Sequence, residues 1–412
     1  MEPRAFAFAI VFASVFILLD HRRNAPSRWR KAGHLSYANL MHQTLHGSRR
    51  RRIAFVFLLV GSVIVTWLFP SRRGFSLRAN GYAMAGWLAW ETCSIAWSSH
   101  RRLSVRSLVP WIITVGVGFT AGTELSVKGC ATVIASVCSA FPIIGVLNEL
   151  FNGGSDERLG YRFAGTLDPN HQGLYCAILA FSCTYLGFTR TMPQTIAIIC
   201  MIVAVSVLAL TRSRTAFWAA EFAGVIWAAI IPLDSSRAWP FGLALTIWLM
   251  GILVSSKTLV KRRLKDALAA VVSLGRTNSQ ARTFNNRTGV WKLVLSSLGR
   301  HRVLGVGFGA FWDVSRIEKF RASFPFSVWT CHSDYLETMV RSGIVGMMLF
   351  VATVLLSMFR ALGLHVADGY FIFSLLVFAM IEGFFESAFS RPGCASLFMF
   401  LLLGALAAAR GS

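Results

Sequence analysis

Residues Gln194–Leu233 read QTIAIICMIVAVSVLALTRSRTAFWAAEFAGVIWAAIIPL. Two apolar runs, Gln194–Thr211 and Ala216–Leu233, are divided only by the polar knot Thr211-Arg212-Ser213-Arg214-Thr215. A helix needs about 20 apolar residues to cross the hydrocarbon core, and a spanning segment must satisfy its own backbone there. The pair therefore reads as two membrane helices joined by a tight turn. Arginines at that depth are costly unless they reach water or a partner. Arg212 reads as a snorkelling anchor. Arg214 opens the second helix, where free N–H groups already favour an anion. A cation fits that place when an anion lies between, so Arg214 is a ligand candidate.

The pattern repeats on both sides. The chain has 412 residues, 55% hydrophobic and 14% charged, where a soluble chain carries roughly a quarter charged. Before this pair lie Ala5–Leu19, Ile53–Pro70, Gly81–Ser98, Ser107–Gly122, Thr132–Phe151 and His171–Phe188. After it come Trp239–Val254, Ile344–Phe359, Tyr370–Phe389 and Ala395–Ala409. The expected fold is all-α, a polytopic integral membrane protein of about twelve transmembrane helices. The first run is followed by Asp20-His21-Arg22-Arg23 and not by a small-residue cleavage site, so it reads as a retained anchor. Three parts are expected: residues 1–254 with nine spans, a large loop 255–341, and residues 342–412 with the last three. Within that loop, Leu264, Leu268, Val271 and Val272 share a helical face near Lys261, Arg262, Arg263 and Lys265, the pattern of a basic helix on the membrane surface.

The loop ends in the richest polar stretch of the chain. It runs NRTGVWKLVLSSLGRHRVLGVGFGAFWDV (286–314) and then WTCHSDYLETMVRSGIVG (329–346). Arg287 and Trp291 stand four apart and share a helical face. Gly305, Gly307 and Gly309 mark a reversal where backbone adopts positive φ or approaches something closely. His332, Tyr335, Leu336 and Met339 follow at helical spacing into an apolar run, so an imidazole stands at a membrane boundary, beside Tyr335 and Glu337. A third polar group precedes the sixth span: Arg162, Gly165, Thr166, Asp168, Pro169 and Asn170. Here Pro169 fixes a turn, Asn170 is suited to cap the helix, and Arg162 is an anchor or an anion ligand. Glu91, inside the third span, must pair or function; a proton relay and a structural pair with an arginine are both open.

Net charge is +23. Spread over several loops, it points to anionic headgroups or an anionic substrate, and not to nucleic acid. Seven of the eight cysteines lie in or beside apolar runs, with Cys331 alone in the loop and no C-x-x-C, so they read as small hydrophobes in packing. His42 and His46 form an H-x-x-x-H pair near His34 in a basic loop without a carboxylate, and read as surface histidines. With 18 acidic residues and no D-x-D cluster to hold a divalent cation on a phosphate, the expectation is chemistry without metal or cofactor.

These pieces resemble, in order, the bacterial O-antigen ligase and polysaccharide polymerase superfamily. The motifs are Ala96-Trp97-Ser98, Arg162-x-x-Gly165-Thr166 with Pro169-Asn170, and Thr211-x-Ser213-Arg214. The large-loop set follows: Arg287-x-x-x-Trp291, Leu304-Gly305-Val306-Gly307, His332-x-x-Tyr335-Leu336 and Gly343-x-x-Gly346. The chain departs at Ser333, where the family often has Asn, and at Arg341, where an acid is common. The resemblance implies a multi-pass protein of the bacterial inner (plasma) membrane with its large loop in the periplasm. It implies a glycosyltransferase that takes a glycan from undecaprenyl pyrophosphate and gives it to a lipid A core or another glycan acceptor. The matching catalytic residues are Arg214, Arg287 and His332, with Arg162, Asn170, Trp291, Tyr335 and Glu337 around the substrate.

Guanidiniums suit a pyrophosphate, binding it bidentately and staying charged. Imidazole suits a base toward the acceptor hydroxyl, or a group that holds it in line. A polymerase that joins lipid-linked repeat units fits as well as a ligase, and the sequence does not separate them. A lipid-linked glycan transporter would need inverted repeats and broken mid-membrane helices, which do not stand out. The positive-inside rule runs against the implied orientation, because the basic loop Asp20–Arg52 would fall outside.

Overall fold

The computed structural model describes residues 2–20, 47–70, 76, 78–152, 162–231, 238–259, 274, 283–324 and 328–409. The histidines of the N-terminal loop and the basic amphipathic stretch 260–273 lie outside the described residues. Among those described there is no strand. The α-helices are α1 Pro3–Asp20, α2 Arg49–Leu68, α3 Ala79–Cys93, α4 Arg101–Glu124, α5 Val127–Asn152, α6 Pro169–Phe188 and α7 Gln194–Thr211. They continue with α8 Arg214–Ile230, α9 Ala238–Leu259, α10 Thr283–Leu298, α11 Val314–Ser323, α12 Asp334–Leu362, α13 Val366–Gly383 and α14 Cys394–Ala408.

Each apolar run read from sequence coincides with a helix. Six of these are long and apolar enough to cross a membrane: α2, α4, α5 to Phe151, α7, α12 and α13. The outer faces agree with that setting. On α2, Val56, Phe57, Val60, Val63 and Ile64 are exposed, a continuous apolar surface that water would penalise and lipid would not. Several ends differ from the reading: the third run stops as helix at Cys93 and not at Ser98, and the fourth and fifth start at Arg101 and Val127, before Ser107 and Thr132. The eleventh run stops as helix at Gly383 and not at Phe389. The tenth starts as helix at Asp334, well before Ile344.

Two helices form the axis of the bundle. On α6 every residue from Gln172 to Gly187 is buried, and on α14 every residue from Cys394 to Ala407 is buried. Small residues let α14 seat against α4: a methyl at Gly122 would overlap the Leu401 carbonyl, and one at Gly404 the Phe119 carbonyl. Backbone approach of this kind replaces the hydrophobic drive that is lost in lipid. Rings fill the wider gaps. Trp87 packs on Trp111, Phe350 and Phe400 at 5.8, 5.0 and 6.1 Å between centroids, tying α3, α4, α12 and α14 together. Tyr185 stacks on Phe371 at 4.3 Å, joining α6 to α13.

The segment 283–340 has a small core of its own. Val290, Val294 and Leu298 of α10 meet Phe311, Phe320, Cys331 and Val340. This cap is stitched to the bundle at a kink in α12. Gly343 adopts φ 75° and ψ −172° inside that helix, which breaks the i→i−4 ladder and releases carbonyls. Val306 N donates to Val340 O at 3.0 Å, Gly307 N to Arg341 O at 2.9 Å, and Trp90 Nε1 to Ser342 O at 2.9 Å. The reversal at 303–309 thus supplies the partners that the kink frees. Trp97 Nε1 reaches Leu304 O at 2.8 Å and Ser94 Oγ accepts from Phe308 N at 3.0 Å, so the Trp97-Ser98 motif holds the other side of the same reversal.

Candidate active site

Three breaks in the helical ladder meet at one place: the entry to α6, the turn between α7 and α8, and the loop after α13. At the first, Asp168 is the N-cap, its side chain accepting from Asn170 N at 2.9 Å, with Pro169 in the first turn. The cap expected at Asn170 is therefore one residue pair earlier. Asp168 stands where a side-chain oxygen reaches the free N–H groups, and the Asn170 amide is left for other partners.

At the second break, Arg212 takes the left-handed conformation, φ 50°, and Arg214 begins α8. Gly173 of α6 makes room: a methyl there would stand 2.9 Å from Ser213 Cβ and from Thr211 Oγ1. Arg162 ties this turn to α6. Its Nε donates to Thr211 O at 2.9 Å and its Nη2 to Asn170 Oδ1 at 3.1 Å.

At the third, Glu386 gathers the rest. It accepts from Asn170 Nδ2 at 2.7 Å, pairs with Arg287 Nη2, and has His332 Nδ1 at 3.5 Å from its other oxygen. Burial alone would push this carboxyl up, but the Arg287 charge and the His332 contact outweigh it and hold it at about 2. It is a fixed anion. One turn earlier, Glu382 is buried in α13 and accepts from Thr215 Oγ1 at 3.2 Å.

The structure brings Arg287 and His332 together on Glu386, with Arg162 one amide away through Asn170. Arg214 lies close enough to Arg287 for each charge to oppose the other, and Arg162 stands in the same relation to Arg212 and Arg214. Among the described residues no carboxylate comes within ion-pair distance of Arg214. The cluster therefore holds an excess of cationic charge. His332 has φ 48°, costly for a side chain with a Cβ. It is held there by His332 N donating to Thr330 Oγ1 (3.1 Å) and Ser333 N donating to Ser387 Oγ (2.9 Å).

The other residues expected at the substrate spend their polar atoms on the protein. Trp291 Nε1 donates to Cys331 O at 2.9 Å, one residue before His332. Tyr335 OH donates to Met380 O at 2.8 Å and its ring stands 4.4 Å from Phe384. Glu337 accepts from Trp312 Nε1 at 3.2 Å and from Cys331 N at 3.0 Å. Burial and the Glu337 carboxylate push the Cys331 thiol well up, so it is no nucleophile. Glu91 has no arginine in ion-pair contact among the described residues; its Oε1 accepts from Trp87 Nε1 (3.2 Å) and Ser342 Oγ (3.0 Å).

Sequence reasoning missed Glu386 and Asp334. Glu386 lies within the eleventh apolar run Tyr370–Phe389, where Glu382 and Glu386, four apart, are the signal in the sequence. Asp334, at the start of α12, accepts from Ser390 N at 2.8 Å and Phe389 N at 3.2 Å, locking the histidine's helix to the glutamate's loop.

Residues 197–351 match the family model described as O-antigen ligase. That stretch contains Arg214, Arg287 and His332, while Arg162, Asn170 and Glu386 lie outside it. No curated protein matches the chain.

Proposed function

We propose that this multi-pass membrane protein, whose residues 197–351 match the O-antigen ligase family model, transfers a glycan from undecaprenyl pyrophosphate to an acceptor hydroxyl at the periplasmic face. The observation that carries the reading is the approach of Arg214 to Arg287, with no carboxylate among the described residues in ion-pair contact with Arg214, beside an imidazole whose Nδ1 lies 3.5 Å from Glu386.

The chemistry follows from that arrangement. Glu386 holds the His332 proton on Nδ1, which leaves the Nε2 lone pair to take the proton of the acceptor hydroxyl. The acceptor oxygen bonds to the anomeric carbon as the bond from that carbon to the pyrophosphate oxygen breaks. The electron pair departs with the carrier pyrophosphate. Arg214 and Arg287 stabilise the charge that grows there, and their planar forks suit its oxygens. Glu386 keeps Arg287 aimed without neutralising the whole cluster.

The test is purified protein with a lipid-linked oligosaccharide and, separately, lipid A core or a second lipid-linked unit. Release of carrier pyrophosphate with transfer to lipid A core supports the ligase reading, and joining of two lipid-linked units supports the polymerase reading. Binding of the donor with no release in either arm removes the enzymatic reading.

A further inference from the structure

A second cationic cavity, of about 250 Å³, lies apart from the His332 cluster under the start of α2 and the first turns of α4. Among the described residues five arginines line it, Arg51, Arg52, Arg106, Arg341 and Arg391, and Glu337 is the one carboxylate in the same wall. Both oxygens of that carboxylate already accept from Trp312 and Cys331. Arg341 is the telling member. It is 3% exposed, stacks over Phe308 at 4.9 Å and donates from Nη2 to Ser390 Oγ at 3.3 Å. Its Nη1 is buried without a hydrogen-bond partner, and no carboxylate among the described residues is in ion-pair contact with it. Arg341 also lines the cavity, so its guanidinium charge acts on an acidic ligand held there.

Two indole side chains, Trp312 and Trp329, share the wall. Their flat apolar faces suit the C–H face of a sugar ring, as phosphate alone would not require. Arg51, Arg391 and Pro392 also line a neighbouring cavity of about 220 Å³ that contains His171 and Ser387, next to Glu386. The two spaces adjoin, and Ser387 in the wall of the second accepts from Ser333 N, the residue after His332.

We propose that this cavity is a subsite for an acid-bearing saccharide, a sugar carrying a phosphate or carboxylate, with Arg341 and Arg52 gripping the acid group and Trp329 stacking on the ring. The proposal rests on the glycan-transfer reading for its purpose but not for its test. The sugar unit bound there belongs to a transfer substrate whose reacting end lies at His332.

The experiment measures binding by calorimetry to the full chain in non-ionic detergent. The probes are glucose 6-phosphate, glucuronate, glucose and inorganic phosphate, with phosphatidylglycerol nanodiscs as a separate arm. At least one acidic sugar should bind saturably, roughly tenfold or more tighter than glucose and than inorganic phosphate. Arg341→Gln should weaken it about tenfold or more, the scale of a charged hydrogen bond. Arg52→Gln and Trp329→Ala, at accessible positions, should each weaken it severalfold and serve if Arg341→Gln does not fold. Arg287→Gln should leave it unchanged. Equal binding of glucose, or of inorganic phosphate, overturns the saccharide assignment, and full competition by phosphatidylglycerol reassigns the cavity to a lipid headgroup. Absence of saturable binding, or its loss with Arg287→Gln alone, removes the subsite. Acidic-sugar binding without carrier release would retain the subsite and sink the transfer reading instead.

Discussion

Two arginines two positions apart separate anchoring from binding. Arg212 closes α7 in the left-handed conformation and Arg214 opens α8 beside Arg287. Arg214→Ala and Arg287→Ala should each cost roughly 10²–10³ in transfer rate, the loss of one donor aimed at developing charge, and Lys should rescue little because a point charge lacks the planar fork. Arg212→Ala should be mild; equal loss at 212 and 214, with equal expression, would end the assignment of Arg214 as the phosphate ligand. Glu386 makes a different claim. Glu386→Gln removes the anion that fixes both Arg287 and the His332 tautomer, and a rate loss on the order of 10²–10⁴ is expected. It also leaves the partly buried Arg287 without its partner, at a cost of up to about 3 kcal/mol, the low end for a buried pair. Because the folded carboxyl is held at about 2, below its ordinary 4.5, its stabilisation is complete above pH 4.5 and is lost as pH falls toward 2. The melting-temperature gap between wild type and Glu386→Gln should therefore stay level from pH 8 to about pH 5 and close only below. A gap that closes between pH 7 and 5 would mean that another group holds the charge.

At the scale of the element, α12 carries the sharpest constraint, because one residue both breaks the helix and admits its neighbour. Gly343 has positive φ, and a methyl there would overlap the Val303 carbonyl. Gly305 faces the same contact from the loop, where a methyl would meet the Arg341 carbonyl. Gly343→Ala should lower the amount of folded protein severely and the melting temperature of what survives, by the cost of strain plus a lost hydrogen-bonded reversal. Gly116→Ala, in α4 with open space around it, is the control and should be neutral or slightly stabilising. Equal effects at 343 and 116 would deny the kink its structural role. The glycines at 305, 307 and 309 were legible as a reversal because positive φ is a local demand. Their partner was not legible, since Val340 and Arg341 carbonyls become free acceptors only through a kink in another helix. The same reasoning explains Glu386. Local hydropathy continues from Tyr370 through Phe389, whereas the helix ends at Gly383, as Asp334 claims the backbone N–H groups of Phe389 and Ser390 from outside the run. Trp291 and Tyr335 were recognisable as important by position, but that they hold Cys331 and Met380 depends on contacts between elements that no spacing records.

For the whole molecule, orientation in the membrane decides the compartment in which the reaction takes place. Two arguments oppose one another. The resemblance of the loop 255–341, which carries Arg287 and His332, to the family's large loop implies a periplasmic position for it. The positive-inside rule would instead hold the basic stretch 20–52 in the cytoplasm. The rule weakens for connections longer than roughly 60 residues, so it constrains the short N-terminal loop more than the large one. Arg51 and Arg52 line the second cavity together with Arg341 and Arg391. The start of α2 thus lies on the same side of the bundle as the start of α12. An introduced cysteine at Ser296, exposed on α10, and another at Arg49, exposed at the start of α2, can be compared in a background with native cysteines replaced, since Cys93 is itself exposed. An impermeant thiol reagent on intact, outer-membrane-permeabilised cells should label both positions equally. Labelling of both only after the inner membrane is opened would place the reaction on the cytoplasmic side. Labelling of one and not the other would break the shared cavity and, with it, the side assignment of α2.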